Sequence, residues 1–382
     1  LKAVPIPVAL ALFDAATGEQ LVLKSDSLFE NAVKDGVYLF DQDQASIVFS
    51  GLSAKPVVSL LRNFSAPVNL EFNYTDEDLA FLIQYETNGF NQWQATQTLL
   101  ERILLNGHDA HIYIQAIKNT LPDLVEQDPL LASRLFDVPS EGYLGSRIDT
   151  DYEPAKIQEQ RNALIDKLAR ELGEFCKDTY LALDPDLQKE FSQAMGVRAL
   201  KNIMLSMMAR QGDETAFELA YQQYEATGNM SERLGALRVL VWNDAPQAEA
   251  ALHDFYQRFK DEALSLDQWF TLQAAHPCAT TETIQYLTSH ADYDLGVPNR
   301  IRSVSGGLNA NPVNTWSFGV DHFIGLAKYL DEKNPIVGSR LLQVLSRWYT
   351  LAEPQRSEVK AKLEALKPQV KSKNVSETLS SM

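Results

Sequence analysis

The chain has 382 residues, 45% of them hydrophobic and 22% charged, and its 51 acidic and 34 basic side chains give a formal net charge of −17. That length makes two or three domains at roughly 150 residues each, and the acidic excess repels phosphate backbones, which excludes nucleic acid as a partner. The apolar stretches are short and interrupted, and no charged segment precedes a cleavable apolar one, so neither a membrane span nor a signal peptide is expected.

From Ile6 the residues Ile6, Val8, Leu10 and Leu12 alternate. Turn residues then run from Asp14 to Glu19, and the apolar pattern resumes over Leu21 to Leu23, which predicts a hairpin. Further short runs at Val37–Phe40, Ile47–Phe49, Val57–Leu61 and Val68–Phe72 are spaced by Asp, Ser, Gly and Pro clusters, the pattern of a small, immunoglobulin-like β-sandwich. The period changes near Tyr74. Thr75 and Asp78 form a capping box ahead of Leu79, Leu82 and Ile83, so a domain boundary is placed between residues 72 and 73.

Residues 73–382 read as consecutive amphipathic helices. Asn88-Gly89 stops the first, Asn91 is a candidate cap for the second, and Asn106-Gly107 ends that one, predicting an antiparallel helical hairpin. The same punctuation returns at Gly212-Asp213 and Gly228-Asn229, and helices follow one another to about Leu366. One core cannot serve so many helices, so the expected fold is mainly α: a β-sandwich followed by a helical superhelix or solenoid with a concave binding face. The polar segment Lys371–Met382 is expected to fray.

Catalytic signatures are missing from the sequence. No histidine is followed by glutamate, and His108 and His111, with Asp109 between them, stand at a helix start where capping or packing is the expected role rather than metal ligation. Gly142–Ser146 and Ser303–Gly307 miss the nucleophile-elbow pattern, and no phosphate-cradling glycine loop occurs. Cys176 and Cys278 both fall in helical segments, which excludes a disulfide framework and a four-cysteine metal site and fits a reducing, cytoplasmic compartment. Cys176, the trio Met204, Met207 and Met208, and Trp242, Trp269, Trp316 and Trp348 read as buried packing residues.

Two segments set cations beside apolar surface. One is Pro298-Asn299-Arg300-Ile301-Arg302-Ser303. In the other, Asn334 caps a helix, Pro335 occupies its first turn, and Ile336 and Arg340 lie four apart along the stripe of Val337, Leu341, Val344, Leu345 and Trp348. Arginines so placed either clamp a carboxylate or carbonyl or pair with the abundant acids of neighbouring helices.

Both segments resemble landmarks of one family. Phe64-Ser65-Ala66-Pro67-Val68 with Tyr74–Leu82 resembles the junction of the small β-domain and the helical domain of bacterial aminopeptidase N, a zinc metallo-aminopeptidase family. Pro298–Ser303 and Asn334–Leu341 resemble two further landmarks of that helical domain, and the likeness runs in order along nearly the whole chain. It departs at Val297, where a member of the family carries asparagine, a change at a loop or helix entry rather than at the arginines. The resemblance implies a carboxyl-terminal, non-catalytic region of an enzyme that removes amino-terminal residues from peptides. Zinc, its His-Glu-x-x-His ligands and the Gly-x-Met-Glu-Asn anchor would all lie upstream, because neither motif occurs here. This chain would then hold no cofactor and be inactive alone. Its partners would be the upstream catalytic domain of the same polypeptide and short peptides. By the same resemblance Arg340, Ile336 and Arg302 face the substrate beyond the scissile bond.

A chain opening at Leu1 with apolar alternation almost at once fits a piece of a larger polypeptide. The alternatives are a free-standing helical-repeat scaffold that binds a protein partner, and an autonomous hydrolase with an unrecognised site.

Overall fold

The computed structural model describes residues 4–22, 33–49, 51–52, 55–187 and 190–382. Two compact units divide the chain: Leu1–Pro139 with Leu183–Ile203, and Ser140–Ala182 with Met204–Met382.

In the first unit β1 (Ile6–Asp14), β2 (Val33–Lys34), β3 (Val37–Phe40) and β4 (Pro56–Leu60) form an antiparallel sheet in the order β2-β3-β1-β4. The centre falls to β1, which pairs Ile6 with Phe40 on one side and Leu10 with Leu60 on the other, and Leu10 to Phe13 are buried. The expected turn after β1 is present: Asp14 N donates to Glu19 O at 2.9 Å and Leu21 N to Leu12 O at 2.8 Å, while Leu23 lies outside the described residues. Gly18 is required in that turn. Its φ is +77°, and a Cβ there would lie 2.1 Å from the Tyr85 ring.

Two expected strands are extended chain instead. Ile47–Phe49 joins no ladder, and in Val68–Phe72 Val68 N donates to Ala66 O and Tyr74 N to Phe72 O, each at 2.9 Å, so local turns take up donors that flank the run.

The helical region starts at α1 (Asp76–Tyr85), with the Thr75–Asp78 capping box formed in both directions. Next come α2 (Gly89–Asn106), α3 (Ala110–Gln127) and α4 (Pro129–Leu135), and α1 packs on both α2 and α3. The cap of α2 is Asn88, whose Oδ1 accepts from Asn91 N at 3.2 Å, rather than Asn91. Asn91 is buried one turn inside, where its Nδ2 donates to Ser59 Oγ at 2.9 Å and Leu60 O at 2.8 Å and ties α2 to β4.

The second unit contains α5 (Glu141–Ser146) and α6 (Pro154–Ala182), and takes the end of α7 (Phe191–Ala209), which is divided between the units. It continues with α8 (Glu214–Ala226), α9 (Met230–Trp242), α10 (Ala248–Phe259), α11 (Ala263–Ala274), α12 (Thr281–Thr288) and α13 (Pro298–Asn309). Each of α8 to α11 packs on its chain neighbour and α11 packs on α13, so successive amphipathic faces bury one another. Asp213 and Asn229 cap α8 and α9 as their sequence predicts. A short α14 (Pro312–Asn314) runs through a π-helical turn into α15 (Val320–Lys333), followed by α16 (Pro335–Leu342), α17 (Gln355–Leu366) and α18 (Lys373–Ser380).

Cys176, the three methionines, Trp269 and Trp316 are buried as expected. Trp242 and Trp348 are half-buried, each donating its indole N–H to a backbone carbonyl, Leu272 O at 2.9 Å and Met382 O at 3.2 Å. The terminal segment departs from expectation. Rather than fraying it forms α18, which buries Val375 and Leu379 against α16 and is tethered by Asp331, whose carboxylate accepts from Lys371 N at 2.6 Å, Ser372 N at 3.1 Å and the Ser372 hydroxyl. Among the described residues no helix is long and apolar enough to cross a membrane.

Candidate functional site

The two arginines of the Pro298–Ser303 segment have separate fates, set by helix geometry. At about 100° per residue, positions two apart point to nearly opposite sides. Arg300 turns inward, where its Nε donates to Asp267 Oδ1 at 2.6 Å and its Nη1 to Asp292 O at 2.6 Å, with the guanidinium 5.0 Å from the Phe270 ring centroid. Both members of the Arg300–Asp267 ion pair are largely buried, so the charges are neutralised locally. Arg302 turns outward, exposed, and donates to Asn299 Oδ1 at 3.4 Å, and among the described residues no carboxylate lies within ion-pair distance of it.

Arg302 lies at the edge of a groove of about 430 Å³ between α9, α11 and α13. Met230 and Leu234 come from α9, Leu264 and Gln268 from α11, Asn299 and Arg302 from α13. Helices α11 and α13 approach closely at Gly307, where a Cβ would come within 2.7 Å of both Ala274 Cβ and Thr271 O. Leu234, part of the apolar stripe expected to be core, is only half-buried and faces this groove, and Leu264 is 76% exposed.

Helix α16 begins as its sequence predicts. Asn334 caps it by accepting from Val337 N at 3.3 Å, Pro335 follows, and Val337, Leu341 and Leu342 are buried. Ile336 is 55% exposed, Arg340 is exposed one turn later, and among the described residues Arg340 has neither hydrogen bond nor ion pair. The structure thus keeps Ile336 and Arg340 on one exposed face, and neither lines the groove that holds Arg302.

His108 and His111 do not converge on a common centre. Asp109 is spent as the cap of α3, accepting from His111 N at 2.8 Å, and His108 Nδ1 lies 2.5 Å from Asp76 Oδ2, with Arg102 on the other Asp76 oxygen at 2.9 Å. Burial opposes the Asp76 charge, yet the hydrogen bonds from Arg102 and His108 outweigh it and hold the carboxyl below its ordinary range. The Cys176 thiol is pushed up to about 12 by burial, which suits a packing residue and not a nucleophile.

Sequence reasoning missed Met230, Leu264 and Gln268. For Met230 and Leu264 the one signal is apolar character at the first two positions of α9 and α11; Gln268, polar and inside α11, carries none.

The comparisons agree with this architecture. Residues 1–73 match the family described as a domain of unknown function (DUF3458) with an Ig-like fold, and residues 76–382 match its partner (DUF3458_C), described as ARM repeats. The chain is 30% identical over 380 residues to aminopeptidase N of Escherichia coli (strain K12), covering 95% of this chain and 42% of that protein. It is 26% identical over 376 residues to aminopeptidase N of Haemophilus influenzae, covering 94% of this chain and again 42% of the relative. It therefore spans about two fifths of the length of the curated relatives it matches. Aminopeptidase A of Legionella pneumophila, crystallised in complex with aspartic acid, superposes with a TM-score of 0.83 at 24% identity over 99% of this chain and 45% of that one, which establishes the shared fold. The chain belongs to the DUF3458 family, an Ig-like domain followed by ARM-like helical repeats, and corresponds to the carboxyl-terminal part of aminopeptidase N proteins.

Proposed function

We propose that this chain is the non-catalytic part of a cytoplasmic zinc aminopeptidase, divided into its two domains near residues 72 and 73, and that it caps the active site and limits access to short peptides. The observation that carries the reading is the ordered similarity to aminopeptidase N along 95% of the chain, confined to 42% of the relative. The described residues do not fit a zinc site, since no group of three His, Cys, Asp or Glu side chains converges among them. In this reading the metal and the bond-breaking residues belong to the portion of the relatives that the chain does not span, and no chemical step is assigned to it.

What the chain contributes is enclosure and contact. Arg340, with Ile336 beside it, and Arg302 present guanidinium groups that no acid neutralises among the described residues, and a planar fork of donors suits peptide carbonyls or a carboxylate. These contacts bind peptide residues beyond the scissile bond, so they matter for peptides and not for substrates that end at it. Arg340→Ala in the full-length enzyme should lower kcat/KM for a tripeptide about tenfold and leave an alanyl amide reporter within about twofold. Equal losses on both substrates would overturn the proposed contact.

A further inference from the structure

A second cavity, of about 220 Å³, lies within the second unit and shares no lining residue with the groove at Arg302. Its walls include Gly145 of α5, Tyr152, Pro312 of α14, Trp316 of the π-helical turn, and Val344 and Arg347 beyond α16. We infer that this cavity binds a small organic carboxylate, a short-chain fatty acid anion, through Arg347, Trp316 and Tyr152. The juxtaposition is one guanidinium and two deeply buried donors without partners, on a lining that has no acidic side chain among the described residues. The volume is below the roughly 300–1,000 Å³ of drug-sized sites, so the ligand has only a few heavy atoms.

The walls are fixed by backbone contacts before any ligand arrives. Tyr152 N donates to Thr350 O at 2.8 Å and Ala352 N to Tyr152 O at 3.0 Å, while Arg347 Nη2 donates to Ile148 O at 2.9 Å. Tyr152 is 4% exposed and rests on Gly145, where a Cβ would lie 2.7 Å from its hydroxyl. Trp316 is 7% exposed and stands second in the π-helical turn Thr315–Gly319, a distortion that recurs at functional sites. The indoles of Trp242, Trp269 and Trp348 all donate to backbone carbonyls. Among the described residues neither the Trp316 indole N–H nor the Tyr152 hydroxyl has a hydrogen-bond partner. A buried donor without an acceptor is costly, and a carboxylate brings two oxygens with about four lone-pair sites.

The charges favour an anion. Asp149 lies 3.6 Å from Arg347 but is 95% exposed, so water screens that pair. Glu141 is absent from the lining, is hydrogen-bonded with Gln158 and lies in the field of Arg161. Burial, with Glu141 adding to it, pushes the Tyr152 phenol up, so it stays protonated and donates. Pro312 and Val344 give a short alkyl tail its contact, which an inorganic anion would not use.

Ligand-observed NMR titration of the 382-residue chain with butyrate and with butyramide, at pH 7 and fixed ionic strength, tests the site. Butyrate should bind with a Kd of about 1 mM or tighter, and butyramide at least about tenfold more weakly. Tyr152→Phe keeps the ring on Gly145 and removes only the hydroxyl, and should weaken butyrate about tenfold. Arg347→Gln should bring butyrate down to the level of butyramide. Sulfate should displace butyrate at least about tenfold less effectively than propionate does. No saturable binding of butyrate, equal binding of acid and amide, or an affinity unchanged in both variants would each overturn the site. Equal displacement by sulfate would overturn its assignment to an organic carboxylate. No arm reads peptide hydrolysis, so failure here would leave the capping role to be judged separately by activity.

Discussion

Arg300 and Arg302 are separated by one residue, yet helix geometry gives them opposite energetic roles. Arg300 shares a largely buried ion pair with Asp267, and removing one partner of such a pair strands the other charge. Arg300→Ala should therefore cost about 3–5 kcal/mol in urea unfolding, whereas Arg302→Ala and Arg340→Ala, both at exposed sites, should shift stability by less than about 0.5 kcal/mol. The sequence showed that the Pro298–Ser303 segment mattered and left both readings of its arginines open. Which one faces an acid depends on where α11 lies, and Asp267 is more than thirty positions away in the chain.

A second residue-scale effect concerns His322, which is half-buried on α15 with Nε2 3.3 Å from Ser305 Oγ. Burial pushes its pKa down from 6.5 to about 4, so the fold favours the neutral ring. Since the unfolded chain takes up that proton first, the stabilisation is complete above about pH 6.5 and is lost as pH falls toward 4. Unfolding free energies at pH 7 and pH 5 should differ by about 1–2 kcal/mol more in the parent chain than in His322→Gln.

At the scale of elements, helix starts were the most legible feature and the chain's end the least. Thr75, Asp213, Asn229 and Asn334 all cap as expected because capping is local chemistry, readable within four residues. Asn88 and Asn91 competed for one cap, and the choice fell to tertiary packing, which claimed Asn91 for Ser59 and Leu60. Helix α13 shows the converse, since Val297 at its cap supplies no side-chain acceptor. Val297→Asn should stabilise the chain by about 1 kcal/mol, seen as a higher Tm, and no gain would mean that the helix entry is already satisfied.

The terminal helix was missed because its composition is polar, with Val375 and Leu379 as its only buried residues. Two apolar side chains four apart suffice once α16 offers a surface and Asp331 holds the segment before the helix. Burial alone would disfavour the Asp331 charge, and the hydrogen bonds from Ser372 and Lys371 outweigh it to keep the carboxyl below its ordinary range. Asp331→Ala should cost about 2–3 kcal/mol and raise amide hydrogen exchange across α18 selectively. Unchanged protection there would show that apolar packing alone holds the helix.

For the whole molecule, the order of a small sheet domain followed by stacked helices was readable from the change of hydrophobic period near Tyr74. The groove was not, because it is assembled from α9, α11 and α13, whose lining residues are separated by up to about seventy positions. Arg300 and Asp267 close on each other inside, while among the described residues Arg302 and Arg340 stay exposed without acidic partners.

The central claim is that this chain completes an aminopeptidase without carrying its chemistry. The most direct measurement is hydrolysis of an alanyl reporter and of a tripeptide by the 382-residue chain alone, by the separately produced remainder of the enzyme, and by the two mixed, each with zinc supplied. The account predicts no turnover by the chain alone and, on mixing, recovery of activity that is greater for the tripeptide than for the reporter. Turnover by the chain alone would contradict it.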